Sequence, residues 1–136
     1  MSECIFCKIL RGEAPCHRVH EDELSLAFLD IFPLAPGHTL VIPKRHAENL
    51  FEIDEASLLA VSRTAQQLAH AQRRALQPDG IMVMQLNGAA AGQTVFHHHT
   101  HLIPRDQGSA LAFQPRVPSP DEELAAMAQQ IREAIR

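Results

Sequence analysis

The chain carries a run of histidines set between apolar residues, VFHHHTHLI over residues 95–103, which limits the folds it can adopt. His97, His99 and His101 occupy alternate positions in this run. Alternate side chains of a β-strand project from the same face at steps of roughly 6.6–6.8 Å. The pattern therefore predicts a strand over residues 95–103 with three imidazoles on one face and His98 on the other.

The segments around this run alternate irregularly between strand and helix. Short β-rich segments lie at residues 19–21, 25–29, 38–43 and 81–86. Helical spacing of apolar residues predicts helices at residues 4–11, 54–76 and from Pro120 onward. Because this order lacks the regular βαβ alternation of a parallel sheet, it predicts an α+β fold, an antiparallel sheet with flanking helices.

Local signals set the ends of two of these helices. Asp54 is a predicted N-cap for the long helix, which ends before Pro78. Its polar face is expected to carry Gln and Arg residues and His70. Pro120, at the first helical position, and the acids after it predict the last helix. Its apolar stripe is Leu124, Met127, Ala128, Ile131 and Ile135. The prolines Pro115, Pro118 and Pro120 indicate a loop rather than a domain boundary.

Length and charge narrow the class of protein. A chain of 136 residues with a net charge of −4 predicts a single globular domain over residues 1–136. It has no block of Lys or Arg, no Trp and no Tyr, so we expect no nucleic-acid partner. Acidic Glu3 and short apolar runs do not fit a signal peptide or a transmembrane segment. We therefore expect a cytoplasmic protein with no membrane partner.

The histidine run has three interpretations. The imidazoles can be exposed side chains of an edge strand without a function, or ligands of a catalytic zinc with an open position. They can also be a nucleophile and neighbouring groups that bind or protonate the substrate. Nucleophilic attack suits histidine because its neutral form is abundant at pH 7. The preceding Gly92, Gln93 and Thr94 favour the nucleophile, because glycine permits close backbone approach and the polar side chains can hold phosphoryl oxygens.

The cysteines are three in number, which does not suit a disulfide framework. The pair Cys4 and Cys7 can be redox-active, can be two buried thiols, or can bind zinc as soft thiolates together with imidazoles. The redox interpretation lacks the expected βαβ context. Cys16 has no evident partner, so we expect a small buried hydrophobic residue there.

Three blocks of the chain resemble the histidine-triad (HIT) family. They are AGQTVFHHHTHLIPR at 91–105, CIFCKILRGEAP at 4–15 and AFLDIFPLAPGHTLVIPKRH at 27–46. The match is collinear over residues 4–105, whereas residues 106–136, a predicted loop and helix, are not diagnostic. One departure is His98, because the family usually has an apolar residue between the first two histidines of the triad. The resemblance implies a HIT-like fold.

The resemblance also implies an activity. Family members resembling this chain, in the Hint or purine nucleoside phosphoramidase branch, are hydrolases or transferases acting on the α-phosphate of purine nucleotides. By this likeness His99 is the nucleophile that forms a nucleotidyl-histidine, His101 contacts the phosphate and leaving group, and His38 supports their protonation. The expected substrate is a nucleoside 5′-phosphoramidate such as an adenylated amine. The alternatives are a dinucleoside polyphosphate hydrolase and a nucleotide-binding regulatory module.

Further positions carry binding roles by the same likeness. Asn87, Gln93 and Thr94 are expected to orient or bind the phosphate, and Asp30 to hold the ribose hydroxyls. The positions expected around the base are Ile5, Phe6, Ile9, Phe28, Ile31 and Leu40. Core packing explains these apolar residues equally well from sequence alone.

The likeness also implies a structural zinc ion and a dimer. Bacterial-type family members use the CxxC pair with two histidines, which here gives the set Cys4, Cys7, His46 and His97. A homodimer is implied, joined through the long helix and a strand, and pairing would cover the edge of so short a sheet.

Overall fold

The computed structural model describes residues 4–109 and 117–136. Along these residues the helices are α1 (Ile5–Leu10), α2 (Glu55–Leu76) and α3 (Asp121–Glu133). The strands are β1 (Arg18–Glu21), β2 (Ser25–Leu29), β3 (Thr39–Pro43), β4 (Gly80–Gln85) and β5 (Thr100–Arg105). A single 3₁₀ turn, Ala89–Ala91, lies between β4 and β5. None of these described helices combines the length and the apolar character needed to cross a bilayer.

All five strands pair antiparallel in one sheet with the order β1-β2-β3-β5-β4. Every residue of β2 and β3 is buried, because these strands are covered on both faces. The predicted α+β class, an antiparallel sheet with flanking helices, is confirmed. In the register between β3 and β5, Leu40 lies opposite His101.

Alternate residues of β2 and β3 enter two separate cores. Ala27, Leu29 and Val41 pack with apolar residues of α2 and α3 on one face of the sheet. On the other face, the apolar side chains packed around α1 are Phe6, Ile9, Leu26, Phe28, Leu40 and Ile42. Each large apolar side chain buried in this way contributes about 1.5–3 kcal/mol. The α1 face is the one that carries the histidines described below.

The long helix begins as predicted. Asp54 is its N-cap and accepts a hydrogen bond from the Ser57 backbone N–H over 3.0 Å. The helix ends at Leu76, and Gln77 takes a left-handed conformation with φ of 50°. The prediction that its glutamines lie on the polar face, opposite the apolar stripe, is wrong at Gln72, which is 0% exposed. Its amide instead bonds to backbone carbonyls of the sheet.

The predicted strand at residues 95–103 is wrong over its first half. β5 begins only at Thr100, and residues 95–99 are an irregular segment outside the sheet. The last residue of β3 is Pro43, which has no N–H to continue a ladder. Its carbonyl accepts a hydrogen bond from the ring of His97. His97 and His99 therefore do not share a strand face with His101.

The last helix also differs slightly from its prediction. Pro120 is its N-cap rather than its first helical residue, and Leu124, Ala128 and Ile131 form the buried stripe. Pro115, predicted to lie in a loop, is outside the described residues, and Pro118 and Pro120 lie in an irregular segment before α3. The strand predicted at residues 81–86 lies one residue earlier in the structure, at Gly80–Gln85.

Candidate active site and metal cluster

Two cavities meet at His99 and His101. The first, of about 390 Å³, lies between α1 and the segment after β2, and the second, of about 450 Å³, lies beside β4. Thr94, His99 and His101 line both. A third cavity, of about 710 Å³, lies between the turn at residues 33–37 and α3 and is lined by His38 but by neither His99 nor His101. The His99 and His101 side chains therefore face the two smaller cavities.

The first cavity is apolar, with one acid at its edge. Asp30 lines it. All six apolar residues expected around a base also line it: Ile5, Phe6, Ile9, Phe28, Ile31 and Leu40. Phe6, Ile9, Phe28 and Leu40 belong at the same time to the core around α1. Both sequence interpretations, cavity and core, hold for these four.

The His99 ring is oriented by a backbone carbonyl. Its Nδ1 lies 2.7 Å from the carbonyl oxygen of His97, and a carbonyl only accepts, so Nδ1 carries the hydrogen. In the neutral ring Nε2 therefore holds the lone pair. Burial lowers the pKa of His99 below its ordinary value, against the opposite effects of the bond to His97 and of the Asp30 charge. The lowered pKa favours the neutral form of the His99 imidazole.

His38 and His101 form a directed pair. The Leu34 backbone N–H donates to His38 Nδ1 over 3.0 Å, so in neutral His38 the hydrogen is on Nε2. His38 Nε2 lies 2.9 Å from His101 Nδ1 and donates to it. His101 in its neutral form then carries its hydrogen on Nε2. Asp30 Oδ2 lies 3.6 Å from His38 Nε2, so an acid stands beside the pair.

Asp30 has a structural contact as well as a place in the cavity. Its Oδ1 accepts a hydrogen bond from the Phe32 backbone N–H over 2.9 Å, which shapes the turn after β2. Its backbone N–H in turn donates to the carbonyl of His38. The carboxylate is therefore held in place at the edge of the first cavity.

Gln93 does not line either cavity. Its buried side-chain amide donates to the carbonyls of Glu48, over 2.6 Å, and Val95, over 3.1 Å. Its Oε1 accepts from the Gly88 backbone N–H over 2.8 Å. These contacts tie together the loop that leads to the histidines, so Gln93 orients the loop.

Asn87 is likewise absent from the lining of both cavities. Its Oδ1 accepts from the Leu50 backbone N–H over 2.8 Å, and its amide exchanges hydrogen bonds with Gln85. The structure brings Thr94 to the cavities, but not Asn87. Gly92, with φ of 102°, turns the chain just before Gln93, and a side chain there would be strained.

Four ligand atoms meet near the start of α1. Those of Cys4, Cys7, His46 and His97 all lie within 4.8 Å of one another. His97 Nδ1 is 3.3 Å from Cys4 Sγ and 3.2 Å from His46 Nδ1. His97 Nε2 donates to the Pro43 carbonyl over 2.9 Å, which leaves the Nδ1 lone pair facing the cluster. Burial lowers the pKa of His97 to about 4.

This donor set fits zinc. Bond lengths of about 2.3 Å to sulfur and 2.0–2.1 Å to nitrogen give tetrahedral edges of about 3.3–3.8 Å. The observed separations include 3.3 Å between Cys7 Sγ and His46 Nδ1 and 3.6 Å between Cys7 Sγ and His97 Nδ1. Two thiols and two imidazoles would complete a closed four-coordinate site, which is the form of structural zinc.

Two further residues near the site are His98 and Cys16. His98 is 1% exposed, and neither ring nitrogen has a hydrogen-bond partner among the described residues. Burial lowers its pKa. Cys16, predicted to be a buried hydrophobic residue, is only half-buried and lines the first cavity. Burial also raises the pKa of its thiol.

The sequence did not indicate the lining of the second cavity. Leu34, Met84 and Leu86 line it, together with Ala91 and Gly92. Met84 reaches the site because β4 pairs with β5 and places it opposite His101. An apolar residue in a strand has the same pattern whether it faces a core or a cavity, so only the strand pairing could find it.

The fold and the site together define a class: an α+β domain with a histidine pair and a third, oppositely oriented histidine at the junction of two cavities. The family model described as HIT domain matches residues 11–108. The chain belongs to the HIT family.

Relatives and solved structures agree with this assignment. Adenosine 5′-monophosphoramidase hnt1 of Schizosaccharomyces pombe is 38% identical over 136 residues, covering 98% of each chain. The crystal structure of a HIT-like protein from Bartonella henselae is 48% identical, with a TM-score of 0.93 over 97% of this chain and 96% of the other. A Zn-bound histidine triad family protein from Mycobacterium smegmatis is 40% identical, with a TM-score of 0.86 over 96% and 91%.

Proposed function

We propose that this chain is a hydrolase that cleaves purine nucleoside 5′-phosphoramidates at the α-phosphate through a nucleotidyl-His99 intermediate. The enzyme class rests on membership of the HIT family and on the relative named adenosine 5′-monophosphoramidase. The observation that carries the mechanism is the hydrogen bond from His99 Nδ1 to the His97 carbonyl, because it leaves the Nε2 lone pair available for attack.

The two cavities support a division of the substrate. The base fits the apolar first cavity, and the ribose hydroxyls fit the Asp30 carboxylate at its edge. In this proposal the phosphate lies beside Thr94, His99 and His101, the three residues that line both cavities. The leaving group then enters the second cavity.

The lining of the second cavity favours an amine over a second nucleotide. The described residues that line it include no Lys and no Arg, so nothing charged positively there would hold a polyphosphate chain. Its apolar residues suit a leaving group without negative charge. This observation ranks the phosphoramidate above the dinucleoside polyphosphate.

The reaction proceeds in two displacements. His99 Nε2 forms a bond to the α-phosphorus while the bond from phosphorus to the amine nitrogen breaks, and the amine leaves with a proton taken from solvent, which the second displacement returns. The His97 carbonyl stabilises the positive charge on the His99 ring by accepting its Nδ1–H, and His101 Nε2–H donates to a phosphoryl oxygen. A water molecule then displaces His99. Overall one water is consumed: its hydroxyl ends on phosphorus and its remaining proton on the amine.

Cys4, Cys7, His46 and His97 are proposed to hold one structural Zn²⁺. When bound, the ion would cross-link α1 to the segments that carry His46 and His97. The site has four protein ligands and leaves no open position, so the metal has no part in the displacement. Fixing His97 also fixes the carbonyl that orients His99.

A homodimer is proposed from the edge of the sheet. β4 is the last strand in the sheet order, and Val83 on it is 56% exposed. An uncovered edge strand is a surface for pairing with a second copy. Sedimentation at micromolar concentration tests this, with a monomer as the opposing result. A cytoplasmic location and a single domain over residues 1–136 stay predictions.

Parallel turnover assays test the proposed activity. We expect the protein to release AMP from an adenosine 5′-phosphoramidate much faster than from diadenosine polyphosphates. Quenching without acid, using substrate labelled in the phosphate, should trap a protein-bound nucleotide. Faster cleavage of the polyphosphates would establish the alternative hydrolase. Binding of AMP without cleavage of either substrate would establish a binding module.

A further inference from the structure

Gln72 is a buried polar residue that the proposed mechanism does not use. It lies on α2, on the face of the sheet away from the two cavities, and is 0% exposed. Its Nε2 donates to the carbonyl of Gly37 over 3.0 Å and to the carbonyl of Leu102 over 3.1 Å. Thr39 Oγ1 lies 3.3 Å from the same nitrogen. One side-chain amide thus joins two separate backbone segments.

The two carbonyls belong to the residues next to the histidine pair. Gly37 immediately precedes His38, and Leu102 immediately follows His101. The pairing of β3 with β5 ends with Thr39 opposite Leu102, so no pair of this ladder joins His38 to β5. The Gln72 amide links the turn before His38 to β5 at this end of the ladder.

The turn before His38 is also pressed against α2. Gly37 has φ of 89°, and a Cβ built there would lie 2.5 Å from Leu76 Cδ1. Only glycine allows this approach in this backbone conformation. The helix therefore contacts the turn twice within about one helical turn, through Gln72 and through Leu76.

Packing alone does not explain a glutamine at this position. Its Oε1 has no hydrogen-bond partner among the described residues, which is unfavourable for a buried carbonyl. A Leu or Met would fill similar space without that cost. What glutamine adds is its donor contacts to the backbone of β5 and of the turn.

We propose that Gln72 is a positioning residue for the reaction, which holds His38 Nε2 within hydrogen-bond distance of His101 Nδ1. These two nitrogens are 2.9 Å apart. Their hydrogen bond places the hydrogen of His101 on Nε2, where it faces the phosphate in the proposed mechanism. The expected effect of Gln72 on kcat rests on the proposed function. The expected effect on the hydrogen bond between His38 and His101 does not.

The test replaces Gln72 by Met, which keeps the length of the side chain and removes its donors. We expect Gln72→Met to lower kcat for the adenosine phosphoramidate by about 10- to 100-fold, because small misplacements of reacting groups have effects of this size. KM should change by less than about 3-fold, since the base and ribose contacts remain. Gln72→Leu, which also removes the donors and fills similar space, should show a similar loss and serves if the Met variant does not fold.

Two variants of the same helix are the controls. Leu68→Ala removes a fully buried core side chain one turn earlier and lowers stability without touching the turn or β5 in any contact used above. Gln66→Met makes the same substitution at an exposed position. A loss of kcat in Gln72→Met no greater than in Leu68→Ala at equal loss of stability would overturn the proposal.

A measurement without substrate separates this proposal from the proposed function. Long-range ¹H–¹⁵N spectra of the whole protein report which ring nitrogen of His38 and of His101 carries hydrogen. We expect the wild type and Leu68→Ala to share one pattern, and Gln72→Met to lose the signature of the hydrogen-bonded His101 Nδ1. An unchanged pattern in Gln72→Met would contradict the positioning role, whether or not the wild type cleaves phosphoramidates.

Discussion

His97 and His99 are two residues apart, yet their rings expose opposite nitrogens. His97 donates from Nε2 to the Pro43 carbonyl, so its Nδ1 faces two cysteines and His46. His99 donates from Nδ1 to the His97 carbonyl, so its Nε2 is the nitrogen available in the cavities. The comparison shows that a backbone carbonyl within reach of one ring nitrogen decides what the other nitrogen can do.

The two regions are also linked through the backbone of His97. The carbonyl that orients His99 belongs to His97, whose ring is part of the cysteine and histidine cluster. A change in the cluster can therefore disturb His99. Replacing the His99 side chain should leave the cluster in place, because His99 orients none of the four cluster side chains.

The largest effect is expected from removing the nucleophile. His99→Asn should lower turnover of the phosphoramidate by about 10⁴-fold or more, because the two-step route needs the Nε2 lone pair. Steady-state release of AMP measures this, and no labelled nucleotide should be trapped on the variant. Zinc content and AMP binding should persist. Turnover that follows removable metal instead of His99 would assign the chemistry to the cluster and erase the contrast between the two histidines.

A second large effect is expected from breaking the cluster. Cys4→Ser should lose the metal and lower the free energy of unfolding by about 4 kcal/mol or more, since loss of a metal site is among the few single changes of that size. Elemental analysis of protein purified without added metal should give one Zn²⁺ per wild-type chain. The kcat of Cys4→Ser should fall less than that of His99→Asn. Full zinc in Cys4→Ser, or a metal-free wild type of normal thermal stability, would refute the cluster as a zinc site.

A third prediction tests whether Asp30 belongs to the catalytic region or only to its turn. Asp30→Ala should weaken ribonucleotide binding by about 1.5–3 kcal/mol, as expected for hydrogen bonds to a charged group. Calorimetric titration should show a smaller loss for a 2′,3′-dideoxy analogue. Asp30→Asn is the matched control, because its carbonyl can still accept from the Phe32 N–H. Equal losses for both nucleotides would mean that Asp30 only shapes the turn.

The smallest effect concerns His98, which lies between the two contrasted histidines and has no hydrogen-bond partner among the described residues. His98→Leu should raise the free energy of unfolding at pH 7 by about 1–2 kcal/mol, because it removes an unsatisfied buried ring. Urea unfolding measures this, with exposed His70→Leu as the control. A loss of stability would show that the His98 ring is satisfied in solution.

The same pair of variants tests the direction of the pH dependence. Burial lowers the pKa of His98, so below about pH 6.5 the unfolded chain binds a proton that the folded chain resists. Stability should therefore fall as the pH falls through this range. His98→Leu should reduce the slope by up to about 1.4 kcal/mol per pH unit. If the pH dependence of stability is unchanged in His98→Leu, groups other than His98 take up the proton on unfolding.

Local patterns predicted much of the fold. The N-cap at Asp54, the end of α2 at Leu76 and the whole of β2 agree with the sequence-based prediction, because capping and periodicity act between residues close in the chain. Where a distant partner competes, prediction failed: β5 starts late because the Pro43 carbonyl pairs with the His97 ring rather than with a strand. Gln72 is buried because its bonds go to Gly37 and Leu102, 35 and 30 residues away.

For the site, the amino-acid sequence alone supplied the chemical inventory: which histidines, cysteines and acid are present, and that Cys4 and Cys7 are three residues apart at the start of a predicted helix. The role of each ring nitrogen depends on contacts that form only in the folded chain. It also kept Asn87 and Gln93 out of the cavities and brought Met84 into the lining of one. The physical reason is that a neutral imidazole has one donor and one acceptor nitrogen, and the group that selects between them for His97 lies 54 residues away along the chain.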